Sequence, residues 1–204
     1  TEILQSDMEN IRGTMESLDK EAFSMAAELI QNAKKIYIVG IRSCEPLADF
    51  LGFYLNMLFD EVHVVRTNSA SEIFEQLMRI GAGDVLIGIS FPKYSMRTVK
   101  AMELANSRSA GVISITDSIH SPLNLYSSCN LSARSEMASV VDSLTAPLSV
   151  INALIVALCL RNQDSLKQSI DTLDQLYDDY QVYGRDEMDP FDGEIEIFHQ
   201  GSKV

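Results

Sequence analysis

The sequence predicts an α/β fold with three layers, αβα, in which a five-stranded, parallel, doubly wound sheet follows an N-terminal helical extension. Short apolar, β-branched runs alternate with segments of helical periodicity, which is typical of βαβ units. Runs such as VLIGIS and VISIT are apolar at both alternating positions, as expected for strands buried on both faces. The 204 residues, 46% hydrophobic and 22% charged, suffice for one packed domain.

The N-terminal extension is predicted to contain two helices within residues 1–34, acting as linker or dimerisation helices. Asp19 is expected to cap the second of them, Lys20–Lys35, whose lysine-containing last turn suits the helix dipole. The first carries apolar residues at spacings of three and four, here called the N-terminal stripe: Leu4, Met8, Ile11, Met15 and Leu18. Such a narrow stripe suits a partner helix.

The main domain is predicted at residues 35–182, followed by an acidic tail at 183–204. Its five strands are expected at Ile36–Val39, Val62–Val65, Val85–Ile89, Val112–Thr116 and Asn130–Ala133. The helices are expected at Glu45–Phe59, Ser71–Ile80, Met96–Ser107, Ala138–Leu160 and Asp164–Tyr180. The Ala138–Leu160 helix is apolar on nearly every side, which predicts burial by several neighbours and favours a subunit interface there.

The net charge of -13 argues against direct binding to nucleic acid or to an anionic membrane. The longest apolar run, residues 146–160, is shorter than a membrane-spanning helix requires, so no membrane segment is predicted. Three widely spaced cysteines fit a reducing cytoplasm, and no motif predicts a metal or a cofactor. The N-terminus lacks a signal peptide, and we expect the chain to be part of a longer protein.

Two serine-containing segments follow predicted strands and form the candidate ligand site. The first serine loop, residues 40–44, comes after strand one, and the second, residues 90–95, after strand three. Ligands of open parallel sheets bind outside the carboxyl ends of the strands, close to the point where strand order reverses. Ser95 is expected to cap the next helix, whose free N–H groups and dipole favour an anion.

The positive charges also cluster where a ligand would bind. Of 16 lysines and arginines, five fall at or just past predicted strand ends: Arg42, Arg66, Lys93, Arg97 and Arg134. Cations gathered there in an acidic protein indicate an anionic ligand, since arginine can bind phosphate oxygens with two parallel hydrogen bonds. The alternative is that Arg42 pairs with Glu45, and Arg134 with Glu136, as surface ion pairs.

The sequence resembles the SIS (sugar isomerase) domain, which has a flavodoxin-like, doubly wound fold. The resemblance lies in three segments: IYIVGIRSC, DVLIGISFPKYSMRTVKAMELA and GVISITDSIHSPL. Over about Asp7 to Tyr180 the chain specifically resembles the C-terminal effector domain of RpiR-type bacterial transcription regulators. This resemblance implies a phosphorylated sugar or amino-sugar ligand that alters DNA binding or assembly. It also implies a preceding helix-turn-helix domain, through which alone DNA would be bound, and a homo-oligomer.

The resemblance assigns roles to individual residues of the two loops. Ser43 matches the serine of the family's first loop, and Ser90 and Ser95 match the first and last hydroxyl residues of its phosphate loop. The enzyme-type pattern S-x-S-G-x-T is broken at Pro92 and Lys93, where a serine and a glycine would stand. Lys93 either replaces the lost hydrogen bonds with charge or points to solvent. The predicted ligand-binding residues are Gly40, Arg42, Ser43, Ser90, Lys93, Tyr94, Ser95, Thr98, Asp117 and Ser118, with a capped turn before Pro122 as the alternative for the last two.

Catalysis would require a general base, and few residues qualify. His120 and Glu136 are the best-placed pair, although Glu136 beside Arg134 also suits an ion pair. Cys44 has no histidine close in sequence, so a buried structural thiol is the simpler interpretation. Three hypotheses remain, in descending order: a regulatory phosphosugar-binding domain, a phosphosugar isomerase or lyase, and a structural dimerisation module.

Overall fold

In the computed structural model, residues 1–66, 69–136 and 141–180 are described. Five parallel strands form one sheet in the order β2-β1-β3-β4-β5. The strands are β1 (Ile36–Gly40), β2 (Val62–Val64), β3 (Val85–Ile89), β4 (Gly111–Thr116) and β5 (Cys129–Ser132). Each predicted strand is confirmed to within one residue at either end. The strand order reverses between β1 and β3, which makes their carboxyl ends the expected ligand crevice.

The helices cover both faces of the sheet, so the predicted three-layer fold is confirmed. They are α1 (Glu2–Ser17), α2 (Lys20–Gln31), α3 (Glu45–Leu55), α4 (Ala70–Gln76), α5 (Met96–Ser107), α6 (Thr145–Arg161) and α7 (Gln163–Tyr180). One core cluster joins α2, α3 and α6 to Ile36 and Ile38 of β1. The other joins α4 and α5 to Tyr37 and Val39, the alternate residues of the same strand.

Helix α6 begins at Thr145, so the predicted start at Ala138 is wrong for residues 141–144, while 138–140 lie outside the described residues. Pro147 explains the later start. Proline has no N–H and clashes with the preceding turn of a helix interior, but it fits the first turn, where that N–H has no intrahelical partner. A helix beginning at 138 would place Pro147 in its interior.

Helix α2 ends at Gln31 rather than at Lys35, so the expected lysines are absent from its last turn. The two lysines instead form backbone hydrogen bonds with the segment that leads into β3. Lys34 donates its N–H to Gly83 O at 2.8 Å, and Lys35 O accepts the Val85 N–H at 2.9 Å. Helix α3 also ends before the predicted Phe59. Asn56 there bonds Gly52 O through its side chain, competing with helical backbone bonds.

Helix α1 packs against the domain with its polar face, whereas an ordinary amphipathic helix buries its apolar face. Its buried residues are Asn10, Gly13 and Thr14, whereas the N-terminal stripe faces outward, with Met8 63% and Met15 73% exposed. Only Leu18, just past the helix, packs partly against the core. The polar face of α1 therefore contacts the domain, and the apolar face remains accessible.

No single helix among the described residues is long and apolar enough to cross a membrane. Helices α6 and α7 meet the criteria of length and composition only as a pair, which is bent by 98°. Seven residues of α6 are buried inside the domain: Ala146, Pro147, Val150, Ile151, Leu154, Ile155 and Leu158. The predicted acidic tail, 183–204, lies outside the described residues.

Candidate functional site

The two serine loops lie side by side at the carboxyl edge of the sheet, at the β1/β3 switch point. Gly40, the last residue of β1, is in register with Ile89, the last residue of β3. Cys44 of the first loop and Phe91 of the second are both buried in the same core cluster, so the two loops are packed together. Burial raises the pKa of the Cys44 thiol, so this cysteine is suited to packing rather than to nucleophilic attack.

Gly40 is required by a close backbone approach. A short 3-10 helix, Arg42–Cys44, folds back over the end of β1. A Cβ atom at Gly40 would lie 2.5 Å from the backbone oxygen of Cys44 and 3.0 Å from the Cβ of Ala48. The first serine loop can therefore sit this close to the strand only because residue 40 has no side chain.

The second serine loop is held by its own hydroxyl groups. Ser90 is buried, and its Oγ accepts the backbone N–H of Ser95 at 3.0 Å. Ser95 caps α5 as predicted, accepting the Thr98 N–H at 3.5 Å. Thr98 is fully buried, and its hydroxyl has no hydrogen-bond partner in the part of the chain that the structure describes. The loop thus presents a helix N-terminus and hydroxyl groups together, the arrangement that favours an anion.

Both serine loops contain a residue with a left-handed backbone. Arg42 has φ 60° and Lys93 has φ 68°; among the described residues Ser109 alone shares this feature outside glycine. Lys93 stands where the enzyme-type loop has glycine, and its backbone has the positive φ that glycine adopts easily. A residue with a Cβ atom adopts this conformation only at a cost in conformational energy. Backbone strain of this kind is concentrated at functional sites.

We expect Lys93→Gly to raise the free energy of unfolding by about 1 kcal/mol, because glycine adopts positive φ without a Cβ clash. Urea denaturation measures the effect. Lys93→Ala is the matched control, since it removes the same charge but keeps the Cβ atom. Equal stability of the two variants would show that the backbone at Lys93 is not strained.

The cations predicted to mark the site behave differently from one another. Arg42 is exposed, and within the described residues its guanidinium has no carboxylate at ion-pair distance, so the predicted alternative pair with Glu45 is wrong. Arg66 is engaged by Asp49 of α3, at 2.9 Å. Arg42 and Lys93, both exposed, are therefore the positive charges closest in sequence to Ser43 and Ser90 respectively.

Arg134 lies against α1 and is not ion-paired with Glu136, which was the other predicted alternative. The absence of a side chain at Gly13 makes room for it, since a Cβ there would lie 2.5 Å from Arg134 Nε. Glu136 and His120, the runner-up acid/base pair, are both exposed and share no hydrogen bond. Their catalytic role remains a hypothesis without a contact to support it.

Tyr94 and Asp117 join the second serine loop to the end of β4. The Tyr94 hydroxyl donates to Asp117 Oδ1 at 2.8 Å. Burial and this hydrogen bond raise the pKa of Tyr94 to about 12, which keeps the donor protonated. Ser118 Oγ accepts the His120 N–H at 3.1 Å, within a turn that precedes Pro122. Ser118 thus has the role that the turn alternative predicts, whereas Asp117 accepts hydroxyl protons from Tyr94 and Thr116 rather than a turn N–H. Contact of either residue with a ligand stays a prediction.

Sequence reasoning missed two sets of residues at this edge. Ser43 Oγ donates to Asp142 Oδ2 at 3.1 Å, and the only signal in the sequence was that Asp142 is a lone charge in an apolar segment. Asn10 and Thr14 of α1 bind the backbone after β5, at Glu136 and Arg134 respectively. Their position opposite the N-terminal stripe was the available clue.

Comparison with known proteins matches the SIS domain family to residues 29–157. The HTH-type transcriptional regulator HexR of Escherichia coli is 27% identical over 193 residues, 88% of this chain and 64% of that protein. The chain spans less than two thirds of the length of the first curated relatives it matches, 60% and 64%.

Solved structures give the same picture. The sugar isomerase domain of an RpiR transcription factor from Sphaerobacter thermophilus superposes with a TM-score of 0.81 at 25% identity, covering 85% of this chain and 97% of that chain. The Vibrio vulnificus NanR protein, complexed with ManNAc-6P, has the same fold, with a TM-score of 0.74 at 19% identity over 85% of this chain and 67% of that chain. The family match covers more than half of the sequence, and the chain therefore belongs to the SIS domain family.

Proposed function

We propose that the domain senses a phosphorylated sugar or amino sugar as the effector domain of a bacterial transcription regulator of carbohydrate metabolism. The observation that carries the proposal is the adjacency of Ser43, Ser90 and the Ser95-capped N-terminus of α5 at the β1/β3 switch point. Brought together there, hydroxyl groups and unpaired helical N–H groups suit a phosphate more than a neutral ligand.

The charges of the site support a phosphate ligand. Hydroxyl protons of Ser43 and Ser90 and the first-turn N–H groups of α5 supply short-range hydrogen bonds, while Arg42 and Lys93 supply positive charge from the rim. The chain as a whole has a net charge of -13 and repels anions, so the positive charges of Arg42 and Lys93 would attract an anion locally to this site. NanR, which shares the fold, is complexed with a phosphosugar, ManNAc-6P.

The relatives extend the proposal to a whole protein. HexR is named as an HTH-type regulator, and this chain corresponds to 64% of its length. We propose that DNA is bound through a helix-turn-helix domain that precedes α1, in a protein of the bacterial cytoplasm. The acidic SIS domain would then report the ligand without touching DNA itself.

A second copy of the chain is the proposed occupant of the N-terminal stripe. Leu4, Met8, Ile11 and Met15 are exposed at the spacing of a two-helix seam, while the polar face of the same helix is already buried. Helix α6 adds Val156 and Leu160, both about half exposed, as a further apolar surface.

We expect Met8→Glu combined with Met15→Glu to shift the protein to a monomer in sedimentation velocity, because the seam would bring like charges together. Both side chains are exposed within one chain, so the fold should be retained. Gln5→Glu, on an exposed part of the same helix outside the stripe, should leave the assembly unchanged. An unchanged sedimentation coefficient for the double variant would exclude α1 as the interface.

A thermal-shift panel tests the proposed function. Hexose, pentose, amino-sugar and N-acetylmuramic acid phosphates are added in turn, and the products of any hit are analysed. A ligand at about a hundred times its dissociation constant stabilises the fold by about 2.7 kcal/mol, which a melting curve resolves. A sensor shows the shift and returns the sugar unchanged. An isomerised or cleaved product would favour the isomerase or lyase alternative, and no shift for any phosphosugar would contradict both.

A further inference from the structure

The polypeptide after β5 contacts the candidate phosphate site and α1 through two consecutive residues. Asp142 Oδ2 accepts the hydroxyl proton of Ser43 at 3.1 Å. The next residue, Ser143, donates its hydroxyl to Asp7 Oδ1 of α1 at 2.6 Å, and its carbonyl accepts from Ser135 Oγ at 2.8 Å. A displacement of Asp142 therefore acts directly on a bond to α1.

Helix α1 is attached to this region through backbone as well as side-chain groups. The side chain of Asn10, 2% exposed, bonds the Glu136 backbone in both directions: its Nδ2 donates to the carbonyl at 3.1 Å and its Oδ1 accepts the N–H at 3.2 Å. Thr14 Oγ1 accepts the Arg134 N–H at 2.8 Å. Movement of the chain after β5 is thus transmitted to α1, because these bonds fix backbone positions and are partly shielded from water.

The bond between Ser43 and Asp142 conflicts with a phosphate at the same serine. A serine hydroxyl has one proton to donate, and a phosphate oxygen at Ser43 requires the proton that Asp142 now accepts. A carboxylate next to a phosphate also adds repulsion between like charges. Ser43 can serve one of these two anionic partners at a time.

We propose that Asp142 competes with the ligand's phosphate for the Ser43 hydroxyl, so that phosphate binding releases Asp142 and Ser143 and changes their hold on α1. The inference rests on the proposed function and deepens it, since it names a residue that sets affinity and a route from the site to α1. A helix-turn-helix domain preceding α1 would receive the change through that helix.

Inorganic phosphate is the probe, because it carries the group that all candidate ligands share. Melting temperature is measured against phosphate concentration at constant ionic strength for the wild type, Asp142→Asn and Asp142→Ala, and apparent dissociation constants follow from the shift. We expect both variants to bind phosphate at least about fivefold more tightly, because a competing carboxylate is gone. Asp171→Asn is the control, since it makes the same change in net charge on the exposed side of α7.

Amide hydrogen exchange provides the second readout. In the wild type, phosphate should increase exchange in α1, whereas in Ser143→Ala the α1 response should shrink while the dissociation constant stays the same. Equal phosphate affinity of the wild type and both Asp142 variants would overturn the competition, and unchanged α1 exchange on binding would overturn the coupling. Failure of every protein to bind phosphate would overturn the competition, whereas the proposed function falls only if the phosphosugar panel also gives no shift, so the two failures are distinguishable.

Discussion

Ser90→Ala is expected to weaken phosphosugar binding by about 5- to 150-fold, equivalent to about 1 to 3 kcal/mol for a lost hydrogen bond to a charged partner. The substitution removes a donor to the phosphate and also the acceptor of the Ser95 N–H, so the cap of α5 loses its support. Isothermal titration calorimetry with the best ligand of the panel measures the affinity, and urea denaturation measures the accompanying loss of stability.

Ser128→Ala is the matched control for Ser90→Ala. Ser128 Oγ also accepts a backbone N–H, that of Val112 at 3.2 Å, but it does so at the amino end of the sheet. Its loss should lower stability with no change in ligand affinity. If Ser90→Ala and Ser128→Ala affected binding equally, Ser90 would have no role in the site beyond folding.

Gly40→Ala is expected to destabilise the domain by about 1 to 3 kcal/mol, the usual effect of overpacking, and to reduce phosphosugar affinity at least about tenfold. The new methyl group would meet the Cys44 backbone oxygen, which cannot move aside as a side chain would. Relief requires the 3-10 helix to lift off β1, and Ser43 lies on that helix. Denaturation and calorimetry are the two measurements.

The control for Gly40→Ala is Gly81→Ala. Apart from its two chain neighbours, no residue has a heavy atom within 4 Å of a Cβ placed at Gly81, so this alanine should leave both stability and affinity close to those of the wild type. A Gly40→Ala protein with wild-type affinity would mean that the first serine loop does not position the ligand.

Most of the fold followed from local patterns in the sequence. The strands β1, β3 and β4 are buried on both faces, so their limits lie close to the limits of the apolar runs, as Val85–Ile89 illustrates. Caps were equally readable, because Asp19 and Ser95 act on N–H groups two or three residues away. The positions of the two serine loops followed from the rule that ligands bind at the carboxyl ends of parallel strands.

Features that depend on distant partners could not be read in the same way. The helix that was expected from Ala138 begins only at Thr145, because Pro147 limits its start and apolarity alone does not mark a helix end. The contact between Ser43 and Asp142 joins residues 99 positions apart, and neither residue type signals the other. The two hydrogen bonds between the Asn10 side chain and the Glu136 backbone likewise join residues 126 positions apart.

Backbone amide NMR during titration with the best phosphosugar tests the central claim most directly. The account predicts the largest chemical-shift changes at Ser43, Ser90 and the first turn of α5, with none when the unphosphorylated sugar is added at the same concentration. A competing location exists in a cavity of about 940 Å³ between α7 and the turn after α3, lined by Phe53 and Asp60 among others. Shift changes confined to that cavity, or equal changes with the unphosphorylated sugar, would contradict a phosphate site on the two serine loops.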